Sequence, residues 1–342
     1  MAQITTIGLD IAKNVFQVHG VAADGAVVVR RQLRRSQVLA FFKKQPPCLV
    51  GIEACATAHH WAREITALGH EVKLMSAKYV KAYVKRNKND AADAEAICEA
   101  VTRPTMRFVE IKTPDQQALL MLHRTRKLLV HQRIALVNAM RAHLAEFGIV
   151  AGVGRNGVNR LLTLIEADDD RIPAPARDCL LALRNQLTLA KQHIVEADKR
   201  ILACHRENEL CRRLEEIPGV GPLIATALVA SVPNPLVFKS ARGLPAWIGL
   251  VPKQSSTGGK ERLGHISKAG NRYLRTLLVT GAFSLIRRAK LGSGNHRAWL
   301  VELMARRPTK VAAIALANKI ARIAWALMTK GTRYREPVPQ SV

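Results

Sequence analysis

Four acids and three consecutive hydroxyls are the positions in this chain whose chemistry is most specific. Asp10 lies in Gly8-Leu9-Asp10-Ile11-Ala12-Lys13 and Glu53 in Gly51-Ile52-Glu53-Ala54, each ending a short apolar run. Asp90 and Asp93 lie in Asn89-Asp90-Ala91-Ala92-Asp93-Ala94, a spacing that puts both on one face at the start of a helix. Hard carboxylate oxygens converging from separate elements hold divalent cations. Two such ions about 3.5–4 Å apart support phosphodiester chemistry, one activating the attacking oxygen and the other stabilising the leaving one. Taken singly, each acid has a structural reading, as a turn former after a strand or as a charge complementing a helix N-terminus. As a set that ends two strands and opens one helix, the four are expected to be catalytic.

The hydroxyls lie in Pro252-Lys253-Gln254-Ser255-Ser256-Thr257-Gly258-Gly259-Lys260, which continues to Gly264-His265-Ile266-Ser267-Lys268-Ala269-Gly270-Asn271. Three hydroxyls ahead of Gly-Gly are expected on a mobile loop, where one can serve as a nucleophile. Lys260, Arg262, Lys268, Arg272 and Arg275 would hold a phosphate there and offset its developing charge. A plain phosphate-binding loop is the simpler reading of the same residues. Upstream, Ile217-Pro218-Gly219-Val220-Gly221-Pro222 precedes the apolar run Leu223–Ala230. It reads as a helix-hairpin-helix turn in which Gly219 and Gly221 expose backbone N–H groups to a phosphate. A tight turn between packed helices is the alternative.

The elements that must position these groups follow from periodicity. Strands are expected at Ile4–Leu9, Val15–Val21, Ala26–Arg31, Cys48–Glu53 and Val72–Met75. Helices are expected at Ser36–Lys44, with Ser36 as N-cap, at His59–Leu68 and, with one basic face, at Ala77–Arg86. Three strands and a helix, then strand–helix–strand–helix, is the order of the ribonuclease H-like fold. Leu119, Leu122, Leu129, Leu136, Met140, Leu144 and Phe147 recur at near-heptad spacing and predict one long helix over Pro114–Phe147. A second is expected over Pro175–Leu214, the two pairing with each other or with another subunit, joined through a glycine-rich loop at Gly148–Gly157. Helices at Asn271–Ala289 and Thr309–Met328 close the chain. The expected organisation is an α/β ribonuclease H-like domain over residues 1–110, a helical coiled-coil-like segment over 111–210 and a mainly α domain over 211–342.

Charge points to a polyanionic partner. The 342 residues carry 53 Lys and Arg against 26 Asp and Glu, a net of +27, and residues 236–342 alone contribute +17 with only three acids. Basic side chains that neutralise phosphates release condensed counterions, so the C-terminal third is the expected nucleic-acid surface. The six cysteines lack any CxxC pair, which reads as free, buried thiols in a reducing cytosol rather than a zinc site. The N-terminus lacks the pattern of a secretion signal. Asn318, Lys319 and Arg322 interrupt the apolar run Val311–Met328, so no membrane span and a cytoplasmic protein are expected.

The strings GLDIAK, GIEACA and KNDAADAEAI, Lys88 and Asn89 included, resemble the Asp-Glu-Asp-Asp motif of insertion-sequence transposases with a RuvC-like catalytic domain. The stretch Ile217–Arg275, with STGGK and ISKAGNRYLR, is similar to the second domain of the same family. The resemblance implies Mg²⁺ ligation by Asp10, Glu53, Asp90 and Asp93. It also implies a serine nucleophile that becomes covalently joined to DNA, the acids and serine acting as one composite site, and a non-coding RNA that pairs with donor and target DNA. The serine role falls first on Ser256, nearest the Gly-Gly pair, with Ser255 and Thr257 as alternatives. The expectation is therefore an RNA-guided, Mg²⁺-dependent recombinase acting as a homo-oligomer, dimer or tetramer. Its rivals are a junction-resolving nuclease using the same acids with water, and a nucleic-acid-binding scaffold without cleavage.

Overall fold

Ile7 and Leu9 on one strand and Val50 and Ile52 on its neighbour are fully buried, and their alternation with Gly8 and Gly51 decides which way both strands face. The computed structural model describes residues 3–85, 89–167, 169–291 and 298–335. In it, β1 (Thr6–Ile11), β2 (Val15–Val21), β3 (Val27–Arg34), β4 (Leu49–Glu53), β5 (Glu71–Met75) and β6 (Phe108–Val109) form one sheet of order β3-β2-β1-β4-β5-β6. β1, β4 and β5 run parallel, and β2, β3 and β6 are antiparallel to their neighbours. The helices of this part are α1 (Val38–Lys43), α2 (Ala58–Ala67), α3 (Ala77–Val80) and α4 (Asp90–Val101). This mixed sheet is compatible with a ribonuclease H-like domain.

The two faces of the sheet are built differently. Ile7, Leu9, Val50 and Ile52 pack with Phe42, Trp61 and Ile65 of α1 and α2. On the opposite face, Gly8 and Gly51 let α4 lie almost on the sheet. A Cβ on Gly8 would stand 2.1 Å from the Ala94 carbonyl oxygen, and one on Gly51 would stand 2.8 Å from the Val101 Cβ. Real side chains do not reach such distances, so both positions require glycine.

Two local expectations are corrected. The Ser36 hydroxyl does not cap a helix. A 3₁₀ turn at Arg35–Gln37 precedes α1, and the Gln37 side chain accepts a 2.9 Å bond from the Arg34 N–H. The helix expected over Ala77–Arg86 is a single α turn followed by a 3₁₀ turn at Lys81–Tyr83, and Arg86 lies outside the described residues.

The chain divides into two compact units, residues 1–113 and 114–342. The second contains α5 (Pro114–Ala145), α6 (Arg155–Glu166), α7 (Ala174–Glu207), α8 (Glu209–Glu215), α9 (Pro222–Ser231), α10 (Gly243–Ile248), the hairpin β7 (Pro252–Thr257) and β8 (Lys260–Ile266), α11 (Arg272–Lys290), α12 (Ala298–Arg306) and α13 (Thr309–Lys330). The long helices and the C-terminal helices, expected as separate segments, belong to this one unit. α5 and α7 pair antiparallel. Arg126 binds Asp198 near one end, and Met140 and Leu144 pack with Leu180 and Leu187 near the other. The second long helix is interrupted at Asn208, whose side chain caps α8 by accepting from the Cys211 N–H at 2.9 Å. α6 takes up Gly157, which was expected in the connecting loop.

A buried His123 ties three helices together. The Thr226 hydroxyl donates to the Pro222 carbonyl at 2.7 Å and therefore accepts from His123 Nε2 at 3.1 Å. His123 Nδ1 is left to accept from the Tyr273 hydroxyl at 3.0 Å. Burial lowers the His123 pKa to about 4, so the ring is neutral at pH 7. α13 is the one helix among the described residues long and apolar enough to cross a membrane by length and composition. Its buried Ala313, Leu316, Ala317, Ile320 and Ala321 form the centre of the C-terminal core.

Gly8→Ala is expected to lower the unfolding free energy by about 2–3 kcal/mol in urea titration, because the added methyl must displace α4. Gly264→Ala, where the nearest atom would be 3.8 Å away, should leave it unchanged. Equal effects of the two substitutions would contradict the close packing of α4.

Candidate metal centre and hydroxyl hairpin

Asp10 and Glu53 follow Gly8 and Gly51 by two residues, so the strand period turns them to the face that α4 covers. They sit at the C-terminal ends of neighbouring parallel strands, just where α4 begins. α4 starts at Asp90 because Asn89 caps it, its side chain accepting from the Ala92 N–H at 2.8 Å. The first helical turn thus carries Asp90 and Asp93 to Asp10, and carboxylate oxygens of all three lie within 4.8 Å of one another. Glu53 lies outside that closest group but is near enough for its charge to act on Asp10. Lys88, the other motif residue, is outside the described residues.

The electrostatics of this cluster are those of carboxylates gathered without cationic side chains. Half-burial and the charges of Asp93, Asp90 and Glu53 push the Asp10 pKa from 3.8 up to about 6. Further along α4, Glu95 pairs with Lys85 at 2.9 Å and Glu99 with Arg103 at 2.6 Å. Asp10, Asp90 and Asp93 have no such cationic partner among the described residues. An all-oxygen set with uncompensated charge suits a hard divalent cation. Cys55, which the sequence did not mark as a site residue, stands near these acids; partial desolvation of its sulfur and the charges of Glu53 and Asp10 push its thiol upward, although the residue as a whole is exposed. The six cysteines are free, but Cys55 and Cys179 are exposed, not buried as expected.

The three hydroxyls stand on a β-hairpin rather than on a loop. Gly258 and Gly259 have φ of +57° and +77°, the two left-handed residues that a tight two-residue turn needs. β7 is exposed along its whole length. Ser256 is opposite Glu261, Ser255 opposite Arg262, and Thr257 opposite Lys260. Cross-strand partners share a face, so Ser256 shares its face with Gln254 and Glu261, and Gln254 donates to Glu261 at 3.0 Å. The cations Lys260 and Arg262 are on the other face, with Thr257 and Ser255. They do not surround Ser256 as the sequence suggested.

The remaining predicted contacts divide in two. Lys268 and Arg272 are exposed beside the hairpin. Arg275 is turned to the protein, donating to the carbonyls of Ile248 at 2.6 Å and Ala269 at 2.8 Å, where it fastens the root of the hairpin to α11. Gly221 is the N-cap of α9, and Gly219, at φ +86°, packs its carbonyl against Gly281 of α11. That contact gives the turn a packing role.

With the acid cluster on the mixed sheet and the exposed hydroxyl strand described, comparison with known proteins shows the family. A DEDD-type transposase model of IS110 elements matches residues 7–149, and the model of the IS116/IS110/IS902 transposase family matches residues 211–297. The "Probable family 20 transposase" of Pseudomonas aeruginosa is 47% identical over 334 residues, covering 97% of this chain and 99% of that protein. The transposase for insertion sequence element IS1328 of Yersinia enterocolitica is 41% identical, over 97% of this chain and 99% of that protein. The transposase for IS1111A of Coxiella burnetii is also 41% identical, over 98% and 92%. The chain belongs to the IS116/IS110/IS902 family of insertion-sequence transposases, enzymes that cleave and rejoin DNA.

The raised Asp10 pKa has a consequence for stability. The folded chain keeps the Asp10 proton to higher pH than the unfolded chain, so stability falls as pH rises from about 4 to about 6. Asp10→Asn should therefore raise the unfolding free energy of the metal-free protein at pH 7.5, by roughly 1 kcal/mol after discounting for solvent screening. The gain should vanish as pH is lowered through that window. Thermal melts across pH would reveal it, and a pH-independent gain would contradict the electrostatic reading.

Proposed function

We propose that this transposase exchanges DNA strands through a covalent protein–DNA ester, with Asp10, Glu53, Asp90 and Asp93 binding Mg²⁺ and Ser256 as nucleophile. The observation that carries the proposal is the convergence of three unpaired carboxylates at the strand ends, with Glu53 beside them. A bound Mg²⁺ would supply Lewis-acid stabilisation of the charge that develops on the phosphate. The acids hold the cation and fix its place relative to the sheet. The Ser256 Oγ forms the new bond to phosphorus as the bond to the DNA 3′-oxygen breaks, and a 3′-hydroxyl later reverses the step. The phosphodiester energy is kept in the ester, so rejoining needs no ATP.

The partners in this reading are the element ends, the target DNA and a non-coding guide RNA. The +17 balance of residues 236–342 supports a polycationic surface there, suited to nucleic acid. Recombination needs several sites acting together, so the active form is a homo-oligomer, dimer or tetramer. Met121 and Leu128, seven residues apart on α5, are 66% and 57% exposed and support a contact between copies along that helix.

Incubating the protein with Mg²⁺, its candidate RNA and labelled element-end DNA, then denaturing, should trap an adduct on the Ser255–Thr257 peptide. Ser256→Ala and Asp10→Ala should each abolish it, while Ser255→Ala and Thr257→Val should retain it. Cleavage without an adduct, indifferent to Ser256→Ala, would replace the proposal with metal-dependent hydrolysis. Loss of the adduct only in Ser255→Ala or Thr257→Val would move the nucleophile to the face that carries Lys260 and Arg262.

A further inference from the structure

A basic site built from none of the acids and none of the hairpin residues lies among the long helices. α5, α6 and α7 form a half-open cavity of about 610 Å³ whose lining includes four cations, Arg133, Arg141, Arg155 and Lys191, and no acid. The middle of the chain is otherwise close to balanced, with 17 basic and 13 acidic residues over 111–235, so four cations in one concavity are a local concentration. Three acids of α6, α7 and the turn between them are paired with other arginines, Asp198 with Arg126, Asp169 with Arg171 and Glu166 with Arg184, and none of these arginines lines the cavity. Like charges gathered in a recess repel one another more strongly than on open surface, and an anion relieves that cost.

The cavity is prepared in two further ways. Arg141 is held in place by donating to the Gly152 carbonyl at 3.0 Å, and its Nε is buried without a hydrogen-bond partner. Ile134, Val137 and Val158 give the recess an aliphatic wall. Cations beside an aliphatic wall match a ligand that carries a phosphate and an apolar face together. A half-open recess of about 610 Å³ between three helices is too small for a duplex, whereas one nucleotide of a single strand combines both features at that scale.

We propose that this cavity is a binding site for a nucleotide of single-stranded nucleic acid, the phosphate held by Arg133, Arg141, Arg155 and Lys191 and the base lying on Ile134, Val137 and Val158. The site serves to hold a strand and takes no part in bond cleavage. Arg155 and Lys191 are exposed and make no ion pair among the described residues, so replacing them leaves the helices intact.

The test uses the full chain and 12-residue single strands, DNA carrying 4-thiothymidine and RNA carrying 4-thiouridine. Photocrosslinks are expected in the peptides containing 133–141 or 152–159, with either sugar, and the preferred sugar identifies which strand the site serves. Arg155→Gln with Lys191→Gln should remove those crosslinks and lower the salt dependence of binding by about 0.7 in log–log slope, the contribution of one phosphate, with unchanged melting temperature. Arg133→Gln with Arg141→Gln should remove the same crosslinks, with a lower melting temperature because the Arg141 bond to the Gly152 carbonyl is lost. Crosslinks confined to other peptides, with affinity and salt slope unchanged in both double variants, would overturn the proposal. The readout is binding alone, so loss or retention of DNA cleavage does not bear on it.

Discussion

The repulsion between Asp10, Asp90 and Asp93 is the constraint around which the first unit is arranged. Three carboxylates with oxygens inside 4.8 Å are costly to assemble, and here no cationic side chain among the described residues offsets that cost. The assembly persists because apolar packing imposes it. Gly8 and Gly51 bring α4 down onto the sheet, the buried Ile97, Ala100 and Val101 hold it there, and the Asn89 cap starts the helix at Asp90. The glycine period also turns Asp10 and Glu53 toward the helix start. Electrostatic strain thus sits at the site and is offset by the core, an arrangement frequent where a cation completes a structure.

The second unit solves a different problem, the presentation of an exposed strand. Polar residues in register over β7 and β8 gain little from burial, so the hairpin depends on its turn and its root. The Gly258-Gly259 turn fixes the register, and Arg275 binds two carbonyls where the strands leave the helical core. Beneath them, the neutral His123 links α5 and α9 to Tyr273 at the start of α11. Neutrality matters because a charged ring would have to be desolvated in that position.

Much of this was legible in the sequence, for identifiable reasons. The sheet strands announce themselves through alternation, and β2 has the limits that its apolar period predicts. Asp10, Asp90 and Asp93 were recognisable because each ends or begins a strongly patterned element. The hairpin was read as a loop because Ser, Thr, Gly and Lys carry no apolar period; its pairing rests on a turn and on backbone bonds. Its facing could not be read without the register, which is why Lys260 and Arg262 were assigned to Ser256 and instead share a face with Thr257 and Ser255. Glycines misled at α6, where Gly157 is helical. Arg275 was taken for a phosphate contact because composition does not distinguish a cation facing solvent from one facing carbonyls.

The most direct measurement is the binding of Mn²⁺, as a spectroscopic stand-in for Mg²⁺, followed by electron paramagnetic resonance of the purified chain at pH 7.5. Saturable binding is expected in the native protein, with competition by Mg²⁺ and loss of binding in Asp93→Asn while the fold is retained by circular dichroism. Binding should weaken as the pH is lowered toward the Asp10 pKa of about 6, where a proton begins to occupy the site. Undiminished Mn²⁺ binding in Asp10→Asn and Asp93→Asn, or no saturable binding in the native chain, would contradict the assignment of the metal site.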